Sequence, residues 1–517
     1  MPEKCIDCEK EAIVKCSGCG KVLFCSDEHK KKQSASHKNV CKPYRIENNE
    51  KYGRYLVACR PVQQGEMLLR ERAVIVGPHL DTLPCCLECQ EPLYPPGTPC
   101  SVCGVPGLCP RCTHDPLECH LFKGLNTDQK EALMNANNQH VLPLRVLLNI
   151  RSEEGDQRFK NILELEAHLE ERKDTDAWLS HQKHVVELFQ KLGVITANPE
   201  DEELVQKICG ALDVNSFEVR GPVGPIPGAG PRLRGVYTEA AMMAHDCVSN
   251  VHLSVDDHYV MSVRAAVDIP EGHPILYNYT DPLQPTRERQ KHLWMGKYFA
   301  CSCSRCSDPK ELGTYMGAVK CPRCRAGYVL LNPQDQEWSC EKCHKVFNHG
   351  MMVLATLLCR DKLDSLDRAD PDALESLLHK LRNTLSPSHS VVVDIKQSII
   401  AALREQQPTR ANTRRKIELC RELLPLLQAI EPGLSRLRGI TLYELHIGLV
   451  TMSQEFGEHE WLQEAQDVLK EAVSLLLYEP SKSPEGELAK QAIQELKTLK
   501  QLAAKHEKKK NKAKHKK

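Results

Sequence analysis

The sequence predicts an α+β fold in which Cys/His-rich modules bracket a β-rich middle and an all-α region follows. Three observations carry this expectation. Of 26 cysteines in 517 residues, 24 precede residue 350, and only Cys359 and Cys420 follow it. Strand-like runs at 54–58, 67–69, 73–76 and 259–266 flank a stretch with helical spacing at 140–215. Beyond residue 350 the apolar residues recur almost wholly at helical spacing. At roughly 150 residues per domain the length suggests about three domains. The 69 Lys and Arg balance the 69 Asp and Glu, which disfavours a general nucleic-acid binder held by a basic face. No apolar run approaches the roughly 18 residues a membrane helix needs. The opening residues MPEKCIDCEKEA hold no apolar secretory segment, so the expected setting is intracellular, cytoplasm and nucleus, where thiols stay reduced.

Residues 1–45 and 85–120 are too short and too poor in apolar side chains to fold on burial alone, so they are expected to need metal. Zinc takes four thiolate or imidazole ligands in a tetrahedron, and a Cys-x2-Cys turn supplies two. The first module offers eight candidates, Cys5, Cys8, Cys16, Cys19, Cys25, His29, His37 and Cys41, enough for two ions. The second offers Cys86, Cys89, Cys100, Cys103, Cys109, Cys112, His114 and Cys119. Its last pair is irregular, leaving Cys85 or His120 open as a substitute. A third group, Cys301, Cys303 and Cys306, lacks a local fourth ligand. A fourth group, Cys321, Cys324, Cys340 and Cys343, has the spacing of a zinc ribbon and is complete in itself. Closed sites of this kind hold a fold together and do no chemistry.

Between the modules, Ile162, Leu165 and Leu169 read as one helical face and Val185, Leu188 and Leu192 as another. The run GPVGPIPGAGP at 221–231 is a loop that no regular element can cross. After residue 350, helices with apolar residues at Ile417, Leu423, Leu424 and Leu427, at Leu442, Leu445 and Leu449, and at Val468, Ala472 and Leu476 break near Pro387, Pro408, Pro432 and Pro480. Antiparallel helix pairs follow, tetratricopeptide-like in length but without a clear 34-residue repeat signature. Residues 505–517 hold eight Lys, a run expected to be solvated and disordered.

Two stretches bear on function: GVYTEAAMMAHDCVSN at 235–250 and EGHPILYNY at 271–279. On their own, His245 reads equally as a satisfied core histidine and Tyr279 as an ordinary strand tyrosine. Together with the module at 5–41, whose ligand order resembles a MYND finger, they resemble the SET-domain signatures N-H-S-C-x-P-N and G-E-E-L-x-x-x-Y. Nearly the whole chain is thereby similar to the SET and MYND protein-lysine methyltransferases, with the second Cys module and the ribbon pointing to the arthropod-specific branch of Msta or SmydA type.

The resemblance implies an organisation: a MYND finger (1–45), the first part of the SET domain (46–84), a second MYND-like cluster (85–122), a helical SET insert (123–220), core SET (221–290), a post-SET zinc site (291–310), a zinc ribbon (311–350), a helical C-terminal domain (351–504) and the Lys-rich tail (505–517). It implies interleaved ligands in the first finger, with Cys5, Cys8, Cys25 and His29 on one ion and Cys16, Cys19, His37 and Cys41 on the other. His29 stands where the family usually has Cys. It gives Cys247 as the fourth ligand to Cys301, Cys303 and Cys306, making 24 ligands and about six zinc ions. Tyr279 becomes the catalytic tyrosine of the methyl-transfer channel, and Gly53, Arg54, Tyr55, Ala244, His245 and Phe299 the S-adenosylmethionine site. The chain departs from the family pattern at Ala244 (Asn), Tyr55 (Gly), Ser249 (Pro), His273 and Pro274 (paired acids) and Lys297 (often aromatic). The implied function is S-adenosylmethionine-dependent methylation of lysine on histone or other proteins, with transcription regulation as its setting. The alternative is a catalytically weak zinc-stapled adaptor whose MYND fingers take Pro-rich peptides. A monomer is the expected state.

Overall fold

The computed structural model describes the chain apart from residues 1–4, 6–7, 9, 13, 17–22, 33–41, 81, 83, 94–96, 223–229 and 515–517, and describes backbone alone at 15, 30–32 and 500–514. The first module pairs β1 (Val14–Lys15) with β2 (Leu23–Phe24) ahead of helix α1 (Asp27–Lys32). A hairpin follows, β3 (Tyr44–Asn49) against β4 (Gly53–Ala58), in register from Tyr44 opposite Ala58 to Asn49 opposite Gly53. Gly53 sits at φ +63°, the left-handed conformation that the turn needs and that only glycine adopts freely. Along β4 the side chains alternate between two cores. Leu56 and Ala58 enter the main β core, while Tyr55 and Val57 pack on the other face against Ala244.

Strands β5 (Met67–Arg72) and β6 (Ile75–Pro78) come next. The predicted strand at 73–76 begins late because its first residues cross between two sheets: the Ala73 N–H donates to Tyr259 O at 3.1 Å and the Val74 N–H to Val236 O at 2.8 Å. The second Cys/His module then leads into the insert, α2 (Pro116–Gly124), α3 (Thr127–Met134), α4 (Val141–Arg151), α5 (Leu169–Arg172), α6 (Asp176–His181), α7 (Glu187–Lys191) and α8 (Pro199–Asn215). Helix α8 starts where its sequence says it should: Asn198 caps the Asp201 N–H at 2.7 Å, Pro199 fills the first turn, and Glu200, Asp201 and Glu202 sit at the positive end of the helix dipole. The expected helical face of Ile162, Leu165 and Leu169 does not form. Ile162 lies in a 3-10 helix, Leu165 is extended, and His168 is left-handed at φ 48°, because Glu166 Oε1 accepts both the Ala167 and the His168 N–H at 3.1 Å and closes a turn there. Val185, Leu188 and Leu192 are buried together as expected, on a π-turn running into α7.

Beyond the insert, β7 (Ser216–Arg220) and β8 (Arg232–Val236) complete a sheet in the order β6-β8-β7. Then β9 (Ala244–His245) lies parallel to β12 (Leu276–Tyr277), while β10 (Val251–Val255) and β11 (Val260–Ala265) make a sheet in the order β10-β11-β5. The helices α9 (Thr286–Lys297) and α10 (Ser304–Ser307) precede a four-stranded meander, β13 (Val319–Lys320), β14 (Tyr328–Leu331), β15 (Trp338–Cys340) and β16 (Val346–Phe347).

The remainder is helical: α11 (His349–Asp364), α12 (Pro371–Leu381), α13 (Ser390–Arg404), α14 (Arg410–Ile430), α15 (Arg436–Gln454), α16 (Trp461–Leu476) and α17 (Pro484–Lys514). The four predicted breaks all fall between helices, and Pro425 lies inside α14. The described part of the Lys-rich run is helical rather than disordered: the backbone of α17 continues to Lys514, since Lys and Ala are good helix formers and no Gly or Pro interrupts 487–514, and 515–517 lie outside the described residues. These helices are latched to the β region. The Leu434 N–H donates to Ala266 O at 2.9 Å, and Arg436 donates to both Leu253 O at 3.1 Å and the Glu479 carboxylate at 2.9 Å. No helix among the described residues is long and apolar enough to cross a membrane.

Candidate active site and metal centres

Five ligand tetrads close among the described residues, each with its donor atoms within 4.8 Å of one another. In the first module Cys5, Cys8, Cys25 and His29 come together, with Cys25 Sγ 3.4 Å from His29 Nδ1. Cys16 is buried beside them; Cys19, His37 and Cys41 lie outside the described residues. The second module settles the irregular pairing that spacing left open. Cys86 and Cys89 join Cys109 and Cys112, while Cys100 and Cys103 join His114 and Cys119, with Cys103 Sγ 3.3 Å from His114 Nδ1. Neither substitute takes part. Cys85 turns its thiol to Gln90 Oε1 at 3.7 Å, and His120 is exposed on α2. The ribbon closes Cys321, Cys324, Cys340 and Cys343, with Cys321 to Cys343 and Cys324 to Cys340 both at 3.7 Å. Such spacings are what a tetrahedron with Zn–S of about 2.3 Å produces, and are far longer than the roughly 2.05 Å of a disulfide. The chain binds zinc through these clusters.

The fifth tetrad is assembled from distant sequence. Cys247 follows β9, and Cys301, Cys303 and Cys306 follow α9, whose end at Tyr298 (φ 60°) turns the chain back. Cys247 Sγ lies 3.4 Å from Cys306 Sγ. Four thiolates on one Zn²⁺ leave a net charge of minus two, and the fully buried Arg289 faces that charge. Its Nε donates to Cys247 Sγ at 3.2 Å, its Nη2 to Cys306 Sγ at 3.5 Å and its Nη1 to Glu311 at 2.8 Å. Arg289 and Glu311 escaped the sequence reading; the one available signal was a charged pair flanking the three-cysteine group.

Against this zinc frame lies a cavity of about 960 Å³, walled by the 51–54 turn, the 243–246 segment, Tyr279, Lys297 and Phe299. His245 is the hub. Burial pushes its imidazole down to about 4, so the ring is neutral. The Tyr279 N–H donates to Nδ1 at 3.0 Å, which leaves the proton on Nε2, and Nε2 faces Cys247 Sγ at 3.4 Å. The rings of Tyr279 and Phe299 stand 5.0 and 5.7 Å from the imidazole. The Tyr279 hydroxyl donates to Met243 O, and burial pushes its phenol up, so it remains protonated. Lys297 Nζ donates to Val214 O and stands 5.7 Å from the centroid of the Tyr279 ring.

Of the residues proposed for the cofactor, Gly53, Arg54, Ala244, His245 and Phe299 line the cavity. Tyr55 does not. The period-2 alternation of β4 turns it away from the cavity, and at 8% exposure it packs on Ala244. Two departures from the family pattern are thus one event: the Tyr55 ring fills space beside a small residue at 244. Ser249, in place of Pro, has its hydroxyl bonded to Val251 O at 2.6 Å and Leu276 O at 3.0 Å, tying the segment to β12.

Comparison with known proteins gives a consistent picture. The MYND finger family model matches residues 5–41. The chain is 27% identical over 364 residues to a Drosophila melanogaster protein described as SET domain-containing protein SmydA-8, isoform A, covering 67% of this chain and 75% of that one. For isoform B the identity is 26% over 382 residues, covering 69% and 80%. A shorter match, 32% over 81 residues and 16% of this chain, is to 15% of the Saccharomyces cerevisiae (strain YJM789) protein described as Histone-lysine N-methyltransferase SET5.

Proposed function

We propose, for a chain with a MYND finger and similar over two thirds of its length to a SET domain-containing protein, that the cavity transfers a methyl group from S-adenosylmethionine to a lysine amine of a protein substrate. The observation that carries this is the arrangement of Tyr279, His245 and Phe299 around one cavity braced by the Cys247 tetrad. The name of the yeast relative points the same way.

The cavity suits the cofactor. Phe299 offers an aromatic face, and Gly53 offers bare backbone with no heavy atom within 4 Å of where a Cβ would sit, so a ligand can approach closely. Asp246 offers a carboxyl beside it, pushed up by burial to about 6 and so ionised at neutral pH, the right charge for a cationic ligand. S-adenosylmethionine, when bound there, supplies a methyl already activated on a sulfonium.

The chain's own residues then have three tasks. Phe299, Gly53 and the 244–246 backbone hold and orient. The walls exclude water, which helps an amine with a solution pKa of about 10.4 lose its proton. Tyr279 spends its hydroxyl proton on Met243 O and keeps its oxygen lone pairs free to accept from an incoming amine N–H. No acid-base dyad is required.

Calorimetric titration with S-adenosylmethionine tests the reading. Micromolar binding, weakened by Phe299→Ala, is expected; no heat at millimolar cofactor overturns it. Tyr279→Phe should cut transfer to a lysine peptide about a hundredfold with cofactor binding retained, because misplacing the amine costs about that much. Histone peptides are the first substrates to try, and a Pro-rich peptide the first partner for the finger at 5–41.

A further inference from the structure

Lys297 is the last residue of α9, and Tyr298 after it adopts φ 60°, so the chain reverses at this point. A lysine at a helix end ordinarily extends its amine into water. This one turns inward. Its Nζ reaches the wall of the cavity, donates to the Val214 carbonyl and stands over the face of Tyr279, 5.7 Å from the ring centroid. Among the described residues it forms no ion pair: Asp213, the carboxylate whose charge it feels, is engaged by Arg172 at 2.9 Å and Arg234 at 3.0 Å. The chain has therefore placed an amine of its own, held by one carbonyl, against the tyrosine that would receive the substrate amine.

We propose that Lys297 is a methyl acceptor of this same cavity: the chain methylates itself at Nζ of Lys297. The proposal rests on the methyl-transfer reading above. In the step, the Lys297 ammonium first gives one proton to water. The Nζ lone pair then forms a bond to the methyl carbon of S-adenosylmethionine, the carbon–sulfur bond breaks, and its electron pair stays on sulfur, which leaves as the neutral thioether S-adenosylhomocysteine. The product is the methylated ammonium, already cationic, so the proton first given to water is the net proton released. Burial supports the first part of this, lowering the Lys297 pKa to about 8 against the opposing charge of Asp213, so an appreciable fraction of the amine is free at neutral pH. Lys51 is the internal comparison. It also lines the cavity, but its amine lies 4.7 Å from the Tyr52 ring at the exposed 51–54 turn, and it should stay unmodified.

The test uses the full chain with methyl-labelled S-adenosylmethionine and peptide mapping by mass spectrometry. Label is expected at Lys297, absent in Lys297→Arg and in Tyr279→Phe, with a rate per chain that does not change on dilution. The rate should rise with pH and level off above about 8, where the amine is already neutral. A second measurement needs no turnover. After reductive methylation with labelled formaldehyde, the Lys297 resonance, identified by its absence in Lys297→Arg, should shift when S-adenosylhomocysteine is added. A chain that binds cofactor and methylates a lysine peptide, yet carries no label at Lys297, overturns self-methylation and leaves the methyl-transfer reading standing. A rate per chain that rises in proportion to chain concentration overturns it in favour of one copy modifying another. Absence of cofactor binding by calorimetry, with Lys297→Arg and the parent alike, removes both.

Discussion

The two Cys/His modules have similar ligand inventories and opposite relations to the rest of the molecule. In the module at 5–41 the buried core is local: Cys5, Ala12, Cys16 and Phe24, with Val14 and Leu23 packed on it. In the module at 86–119 the cysteines are part of the core of the helical insert. Cys86, Cys100, Cys103, Cys109 and Cys119 share it with Phe122, Leu142, Leu147, Ile162, Phe189 and Ile208. The same metal chemistry therefore makes an appended domain in one case and a brace in the other. What decides between them is the sequence that follows: the second module runs directly into α2 at Pro116, while the first leads into the hairpin at Tyr44.

The largest difference should appear when a ligand is removed. A structural zinc is worth on the order of 10 kcal/mol of folding, so Cys103→Ser should unfold the second module together with the insert, seen as lost helical circular dichroism. Cys8→Ser should leave that main transition where it is. Equal damage from both would erase the distinction. Next come the apolar partners. Phe122, whose ring meets His114 edge-on at 5.2 Å, should cost about 3–5 kcal/mol as Phe122→Ala, measured by denaturant unfolding, while Phe24→Ala should not move the main midpoint.

The ionic bond that ties the module to the insert is the third test. Arg145 on α4 grips Glu118 on α2 at 2.7 and 3.1 Å, and Glu118 is only 4% exposed. Arg145→Ala strands a buried carboxylate and should cost about 3 kcal/mol by the same measurement. The smallest expected effect sharpens the pairing itself. His120→Ala should stay within about 0.5 kcal/mol and leave the zinc content by elemental analysis at about six ions, whereas a drop in zinc would return His120 to the ligand set.

The tetrads were legible in the sequence to the extent that their ligands are near neighbours. Cys321, Cys324, Cys340 and Cys343 could be grouped from spacing alone, since each pair sits on one tight turn. The second module could not be sorted, because Cys112 and His114 are close enough in sequence to belong to either ion, and only the path of α2 sends Cys119 back to Cys100. Cys247 and the cysteine group that begins at Cys301 are about 54 residues apart, a distance that spacing cannot bridge and that the family resemblance supplied. The relation of Tyr55 to Ala244 was illegible for a different reason. Each reads as an isolated departure until β4 and β9 are placed side by side. Lys297 was marked only as a lysine in an aromatic's place; which way it points depends on the left-handed residue after it, and no local pattern in GKYFAC announces that conformation.

The single imidazole of His245 has a consequence for anyone measuring this protein. One nitrogen of that ring accepts from the backbone of Tyr279 and the other faces Cys247 of the tetrad, so a metal in the tetrad and a ligand in the cavity would share one rigid group. Coupling of this sort is reciprocal by thermodynamic necessity. Whatever factor the metal adds to the affinity of the small molecule, the small molecule returns to the metal. Where that factor favours binding, stripping this tetrad with a chelator would weaken binding in the cavity without the chelator ever touching it, and filling the cavity would raise the affinity of this tetrad for zinc.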